Sequence, residues 1–289
     1  MGAPRFIPIS GRGGTMSGTP ISAYTPDPRY MAVDLQSGPD GAVYTIDWHG
    51  QPYCHTPIEE KWDRTNGRIY RVSWAATYQA VKVDLNTQSD VELARLQTHE
   101  DVWHRRHARR LLMQRATSGG VNAEAIAVLT ELAASKTPTP ALRGLWALSQ
   151  CEALNPALLT AAAHPGDVVR AWAVQLATPR GSAAQLAAPV LLQLAQADPS
   201  AMVRLALASA LPERPAAQRW DIGAALARHG EDAGDRFLSK VLWFGLSSVT
   251  AGDWSRTLAL AASTPLPELA DSIRWYAALS QEGRDRLPE

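Results

Sequence analysis

The chain has 289 residues, a mass of 31.3 kDa and equal numbers of basic and acidic side chains, 28 Lys and Arg against 28 Asp and Glu. Hydrophobic residues make up 46% of the chain, which excludes a disordered protein, and the zero net charge argues against a general binder of polyanions. The two cysteines, Cys54 and Cys151, exclude a disulfide framework and a four-cysteine zinc site.

The first 90 residues are rich in glycine, proline, tyrosine and valine. Residues 1–28 carry five glycines and five prolines without periodicity, and we expect them to form a loose arm. Alternating apolar and polar residues predict strands at 30–35, 42–48, 67–74 and 80–85. Between the first two, Gly38-Pro39-Asp40-Gly41 predicts a tight turn. We therefore expect residues 29–88 to form one antiparallel sheet.

The segment between the second and third predicted strands is too long for a tight turn and too polar for a strand. It concentrates aromatic and polar side chains that a surface loop does not need for folding, and loops of this composition often contact ligands or partners. We predict a partner-contact loop that contains Trp48, His49, Tyr53, His55, Trp62 and Asp63.

From residue 90 onward, alanine and leucine dominate. Apolar side chains recur at i, i+3, i+4 and i+7, which predicts short amphipathic helices, and proline opens several of them. The short connections favour consecutive helices that lie side by side. The predicted helices span 101–116, 123–135, 140–151, 156–164, 167–177, 183–197, 201–211, 216–229, 235–248, 254–263 and 268–282.

A polar cap, a valine–arginine pair and an apolar run recur within this helical region. Residues 164–171 align with residues 198–205 at an offset of 34 residues, a period that favours a helical-repeat solenoid over an irregular all-α domain. The pattern resembles HEAT repeats, in which an acidic cap and an arginine form ladders between units. The resemblance implies that role for Arg105, Arg143, Arg170 and Arg204. We expect a mainly α protein in which a HEAT-like α-solenoid at 90–289 follows one antiparallel sheet that resembles a single propeller blade.

Motifs for metal, haem, phosphate and serine chemistry are missing or incomplete. His104 and His107 lie three residues apart on one predicted helix, but the surrounding arginines repel a divalent cation, which favours a solvated basic face. Cys54-His55 lacks the first cysteine of a Cys-x-x-Cys-His haem site. The chain has no Gly-x-x-x-x-Gly-Lys-Ser/Thr loop and no Gly-x-Ser-x-Gly elbow. We predict no catalytic residue, no cofactor-binding residue and no metal ligand.

Residues 38–48 and 66–71 resemble the last blade of sorbosone-dehydrogenase-like β-propellers. Residues 99–112 resemble the start of the HEAT region in one group of them, the PVC-type membrane-bound dehydrogenases with a c-type haem domain. Further similarity follows at 142–148, 164–176, 198–220 and 237–246. The resemblance implies a propeller–HEAT–cytochrome architecture at the periplasm or cell envelope.

The chain departs from that family because it carries one blade instead of several and no Cys-x-x-Cys-His motif. A single blade cannot build the central channel of a propeller. We therefore expect a non-catalytic HEAT-repeat scaffold or interaction module, a fragment of a larger redox protein, which binds a protein partner or the missing domains and holds no cofactor itself. The alternative is a part of a quinone-dependent sugar or alcohol dehydrogenase that is active only with the missing blades and a c-type haem domain.

Other partners and the compartment are less well indicated. Nucleic-acid binding is disfavoured because only the helix at 101–116 is basic and no other helix carries a matching stripe. No apolar run reaches the roughly 18–20 residues that span a bilayer, and residues 1–14 lack the apolar core of a signal peptide. We therefore expect no membrane-spanning segment, and the sequence shows no export signal.

Overall fold

The computed structural model describes residues 5–6, 21–22, 30, 32–47, 67–177 and 186–287. The chain divides into two compact units, one formed by residues 1–84 with 100–104 and the other by residues 85–99 with 105–289. Most of the predicted arm at 1–28 lies outside the described residues. So does the whole of the predicted partner-contact loop, with Trp48, His49, Tyr53, His55, Trp62 and Asp63.

The first unit contains a small antiparallel sheet. Its central strand has one covered face, because Thr45 and Asp47 are buried whereas Ile46 between them is exposed. Thr45 lies opposite Leu35 on one side and Tyr70 on the other. Arg5–Phe6 (β1) pairs with Ile21–Ser22 (β2), and Ala32–Ser37 (β3), Val43–Asp47 (β4) and Arg68–Val72 (β5) form the three-stranded sheet in the order β3-β4-β5.

The turn between β3 and β4 has the conformation that its sequence predicts. Gly41 has a φ of 73°, and the Asp40 carboxylate accepts the Ala42 N–H at 3.2 Å. The same carboxylate accepts the hydroxyls of Tyr44 and Tyr78, each at 3.0 Å. Burial opposes ionisation of Asp40, but the hydrogen bonds from Ala42, Tyr78 and Tyr44 outweigh it and lower its pKa. Asp40 therefore ties Tyr78, which follows β5, to the first hairpin.

The fourth predicted strand, at 80–85, is wrong. Residues 78–84 have no regular secondary structure, and Leu85–Thr87 forms a single 3-10 turn. Val81 is 53% exposed, so the alternating pattern does not cover one face here. Alternation produces a strand only where a neighbour supplies both hydrogen bonds and a surface to pack on.

Thirteen helices form in the described part of the chain after β5. The first was not predicted and begins with a capping box, in which the Ser89 hydroxyl accepts the Glu92 N–H and the Glu92 carboxylate accepts the Ser89 N–H. The helices are Asp90–Arg95 (α1), Val102–Ser118 (α2), Ala123–Ala133 (α3), Pro138–Gln150 (α4), Asn155–Ala162 (α5), Asp167–Leu176 (α6), Ala188–Ala197 (α7), Ala201–Ala210 (α8), Ala216–Leu226 (α9), Leu238–Thr250 (α10), Trp254–Ser263 (α11), Pro267–Ala278 (α12) and Gln281–Arg284 (α13).

The helices of the second unit stack as consecutive pairs. Each odd-numbered helix from α3 to α11 packs against the even-numbered helix that follows it, and the even-numbered helices from α4 to α12 also contact one another in chain order. Val169 and Val174 on α6 and Val203 and Leu207 on α8 are buried between neighbours. Each pair thus covers its apolar side with the next pair, as in a HEAT-like α-solenoid. The predicted fold class, mainly α with a small β part, is confirmed.

Helices α3 and α4 lie close together at Gly144. A Cβ atom at this position would lie 2.8 Å from the carbonyl oxygen of Leu129 and 2.8 Å from the Cα of Ala133. Backbone atoms cannot move aside as the end of a side chain can, so any larger residue would push α4 away from α3. The absence of a side chain therefore sets the spacing within this pair.

In the described part of the chain, two ion pairs with buried aspartates join successive repeats. Arg170 on α6 donates to Asp198, the residue after α7, from Nε at 2.6 Å and Nη2 at 2.8 Å. Arg204 on α8 donates in the same way to Asp232, which precedes α10, at 2.6 Å from each nitrogen. The side chains of Arg204 and Asp232 are only 2% and 3% exposed. We call these two bidentate pairs the Arg–Asp ladder.

Asp198 links the two pairs of the ladder. Its side chain accepts from Arg170 and from the Ser200 N–H at 3.0 Å, and its main-chain carbonyl accepts Arg204 Nη1 at 2.9 Å. Each arginine thus holds both the loop before its own helix and the acid of the next repeat. The ladder fixes the positions of α6, α8 and α10 along the stack.

We expect Asp232→Asn to lower the free energy of unfolding by about 3 kcal/mol, because it leaves the buried guanidinium of Arg204 with the exposed Glu231 carboxylate, 3.5 Å from Nη1, as its nearest counter-charge. The double variant Arg204→Met/Asp232→Leu should recover most of that loss, since it removes both charges and keeps the volume. Urea unfolding of the whole chain measures both. Asp271→Asn is the control, because it breaks an exposed pair with Arg274 and should cost less than about 1 kcal/mol. Equal losses for the two asparagine variants would contradict a structural role for the ladder.

The ladder also predicts how stability depends on pH. Burial opposes ionisation of Asp198, but the hydrogen bonds from Arg170 and the Ser200 N–H outweigh it, so the folded-state pKa lies below the ordinary value. Such a carboxylate stabilises the fold above the unfolded-state pKa of about 3.9, and this stabilisation is lost as the pH falls through the folded-state pKa. Urea unfolding between pH 3 and pH 7 should therefore show a smaller acid-dependent loss in Asp198→Asn than in the wild type. Identical pH profiles would show that Asp198 does not contribute.

Candidate ligand-binding groove

Helix α2 carries a stripe of arginines. Arg106, Arg109, Arg110 and Met113 follow the spacing i, i+3, i+4 and i+7, which places them on one helix face. The 17 residues of α2 include no aspartate or glutamate, so the stripe has no counter-charge on its own helix. Together with α4 and α6, the stripe lines a groove of about 520 Å³, whose other residues are Trp146, Ser149, Gln150, Trp172 and Leu176. We call it the arginine–tryptophan groove.

Two tryptophans form the aromatic wall of this groove. The rings of Trp146 and Trp172 meet edge to face, with centroids 5.2 Å apart and planes at 77°. The guanidinium carbon of Arg109 lies 5.4 Å from the centre of the Trp146 ring. The buried Trp146 Nε1 has no hydrogen-bond acceptor among the described residues. The groove therefore combines a cationic wall on α2 with an apolar wall on α6, and Trp146 on α4 extends that apolar wall beside the polar Ser149 and Gln150.

No carboxylate of the described residues compensates the positive charge of the groove. Burial lowers the pKa of Arg109, and repulsion from Arg106, Arg105 and Arg143 lowers it further. No carboxylate of the described residues forms an ion pair with Arg106, Arg109 or Arg110. A half-buried arginine among like charges is a costly arrangement, and perturbed ionisable groups of this kind concentrate at functional sites.

The excess charge coincides with a change in the ladder. Asp198 and Asp232 lie 34 residues apart, and the equivalent position one repeat earlier is His164. Arg143, the arginine of that earlier repeat, makes no ion pair with a described carboxylate and donates instead to the Gln97 carbonyl at 3.4 Å. Among the described residues, the Arg–Asp ladder therefore begins at Arg170 on α6.

His164 keeps the local role of the acid without its charge. Its Nδ1 accepts the Gly166 N–H at 2.8 Å, as Asp198 accepts the Ser200 N–H, and its Nε2 lies 3.0 Å from the Ser135 carbonyl. His164 therefore joins the segment before α6 to the segment after α3 through its two ring nitrogens. Arg105, the first predicted ladder arginine, donates to the carbonyl of His99.

The sequence pattern predicts the basic helix correctly but does not reveal the groove. Arg106 and Arg110 are exposed, as a solvated face requires, whereas Arg109 is half-buried against Trp146. The signal was the absence of acids in α2 together with a tryptophan in each of the next two even-numbered helices. The spacing in the chain does not show that these side chains meet.

Other chemistry in the described residues is limited. No cluster of three or more His, Cys, Asp or Glu side chains there is placed to hold a metal ion. Burial, with a smaller effect of Asp90, raises the pKa of Cys151 to about 11, so its thiol stays protonated at neutral pH. None of the described helices has both the length and the apolar composition needed to cross a membrane.

This chain matches no protein-family model and no curated protein sequence. The function is therefore inferred from the groove and from the helices that form it.

We expect Arg109→Met to leave the stability unchanged or to raise it by up to about 1 kcal/mol. The methionine keeps an apolar stem against Trp146 and removes a half-buried charge that no described carboxylate compensates. Arg115→Met on the same helix is the control, because it removes a 2.7 Å ion pair with Asp90 and should destabilise the chain. Urea unfolding compares them, and an equal loss in both variants would show that Arg109 has a structural role.

Proposed function

We propose that this chain is a non-catalytic HEAT-like scaffold that binds a protein partner through the arginine–tryptophan groove. The observation that carries the proposal is the positive charge of Arg109, which is half-buried in an open groove beside Arg106 and Arg110 and has no ion pair with a described carboxylate. A partner that supplies carboxylates would offset the repulsion among the arginines. Binding would then recover free energy that the folded chain loses by holding these like charges together.

The stack of helices supports a binding role because it holds one wall of the groove in place. Trp172 and Leu176 lie on α6, and the same helix carries Arg170, which is anchored to Asp198. A wall that is already ordered loses little conformational freedom when a partner binds. Solenoids use such continuous surfaces of stacked helices for recognition.

The residues of the groove favour binding over catalysis. Arginine, tryptophan, methionine, leucine, serine and glutamine line it, and none of these side chains is a general base at neutral pH unless a neighbour activates it. Arginines and tryptophans are the residue types that dominate binding energy at protein interfaces. The family resemblance of the sequence suggests that the partner belongs to a redox assembly with a propeller and a c-type haem domain at the cell envelope.

The proposal predicts a partner whose binding depends on the groove. The groove variant Arg106→Glu/Arg109→Glu/Arg110→Glu should lose a protein that co-purifies stoichiometrically with the tagged wild-type chain in its native cells. The control variant Arg95→Glu/Arg228→Glu/Arg236→Glu changes the net charge equally at exposed positions outside the groove and should retain that protein. Circular dichroism checks that both variants keep their helices.

Two results would contradict this function. Retention of every partner by the groove variant would show that the groove is not the binding surface. A stoichiometric quinone or haem absorbance in the purified chain, or oxidation of a sugar or alcohol by it, would favour the alternative dehydrogenase function.

A further inference from the structure

We infer that the arginine–tryptophan groove binds an extended acidic peptide segment in which glutamate or aspartate alternates with a bulky apolar residue. This ligand class rests on the proposed function and deepens it. The inference follows from the different chemistry of the two walls and from the spacing of the arginines on α2.

The two walls of the groove require two kinds of side chain. Arg106, Arg109 and Arg110 line it on α2, whereas Trp172 and Leu176 line it on α6. Side chains of an extended peptide point alternately to opposite sides. A segment that lies along the groove can therefore direct its carboxylates to the arginines and its apolar side chains to the tryptophan wall.

The distances match this arrangement. Arg106 and Arg110 are four residues apart, a rise of about 6 Å along the helix. Residues j and j+2 of an extended peptide are about 7 Å apart and lie on the same side. Two carboxylates at this spacing can each meet a guanidinium, whose planar fork suits bidentate pairing.

The charge of the arginine stripe favours an anionic occupant, because no described carboxylate forms an ion pair with Arg106, Arg109 or Arg110. Carboxylates beside Arg109 would offset the repulsion from Arg106 and Arg143.

A nucleic acid fits the groove less well than an acidic peptide. The chain has no net charge to attract a polyanion, and the arginine stripe occupies one face of a single helix, α2. Stacked bases need an open aromatic face, whereas Trp146 and Trp172 meet at 77° and Arg109 lies over the Trp146 ring. A free phosphate would meet the arginines but leave the apolar wall in water.

Fluorescence anisotropy of the whole chain tests the inference with a fluorescein-labelled probe, the peptide Ser-Glu-Leu-Glu-Leu-Glu-Ser. We expect saturable binding that weakens as salt is added. A probe with glutamine in place of glutamate and a probe with serine in place of leucine should each bind at least about tenfold more weakly, because each loses contact with one wall. A labelled oligo-dT of 20 nucleotides is compared directly, and inorganic phosphate is added as a competitor.

Variants assign the binding to the groove. Arg106→Glu/Arg109→Glu/Arg110→Glu should reduce peptide affinity at least about tenfold, and Arg95→Glu/Arg228→Glu/Arg236→Glu should leave it within about twofold. Thermal melting by circular dichroism confirms that each variant is folded. Trp172→Leu is a second, milder variant that changes the apolar wall and should weaken the leucine probe more than the serine probe.

Several outcomes would overturn the inference. Equal binding of the glutamate and glutamine probes would exclude recognition of charge, and tighter binding of oligo-dT than of the acidic probe would favour nucleic acid. Full displacement of the peptide by phosphate at micromolar concentration would indicate a simple anion site. If the chain does not bind the acidic peptide but the groove variant still loses its cellular partner, the ligand class is wrong and the proposed function stands. If the purified chain oxidises a substrate, the proposed function itself is wrong.

Discussion

The bidentate pair between an arginine of one repeat and an aspartate of the next is the interaction on which the stack of helices depends. A single helix pair cannot bury its own apolar side and needs a neighbour at a fixed distance and angle. Arg170–Asp198 and Arg204–Asp232 supply that constraint, because a buried charge displaced from its partner is strongly unfavourable. Apolar packing drives the association of the repeats, and the ladder selects one register among those that packing alone would allow.

The same interaction explains where the candidate site lies. The ladder changes at His164, which replaces the acid while keeping its hydrogen bond to the following loop. The arginine of the preceding repeat, Arg143, adds its charge to that of the α2 stripe without an ion pair to a described carboxylate. The repeats from α6 onward thus pair their ladder arginines with acids, whereas Arg106, Arg109 and Arg110 on α2 form no ion pair with a described carboxylate. Natural proteins commonly lose some stability where they bind.

The sequence predicts the helices well because each one repeats its apolar side chains at helical spacing against a neighbour of the same kind. Helix α1 is short and has no such stripe, so the spacing of Ser89 and Glu92, which form its capping box, is the signal for it in the sequence. The alternation around Val81 predicts a strand that does not form, because a local pattern does not show whether a partner strand is present. The groove could not be predicted, since Arg109, Trp146 and Trp172 meet only through tertiary packing. In contrast, the sequence shows the 34-residue period directly, because the ladder residues recur at that spacing.

The central claim is that the helices are held repeat by repeat and not around one shared core. Hydrogen exchange of the whole chain, compared between the wild type and Asp232→Asn, tests it most directly. We expect amide protection to fall first in α8 and α10, which the Arg204–Asp232 pair joins, while α3 and α4 keep theirs. The reason is that coupling in a solenoid passes between neighbouring repeats. A uniform loss of protection from α3 to α12 would contradict it.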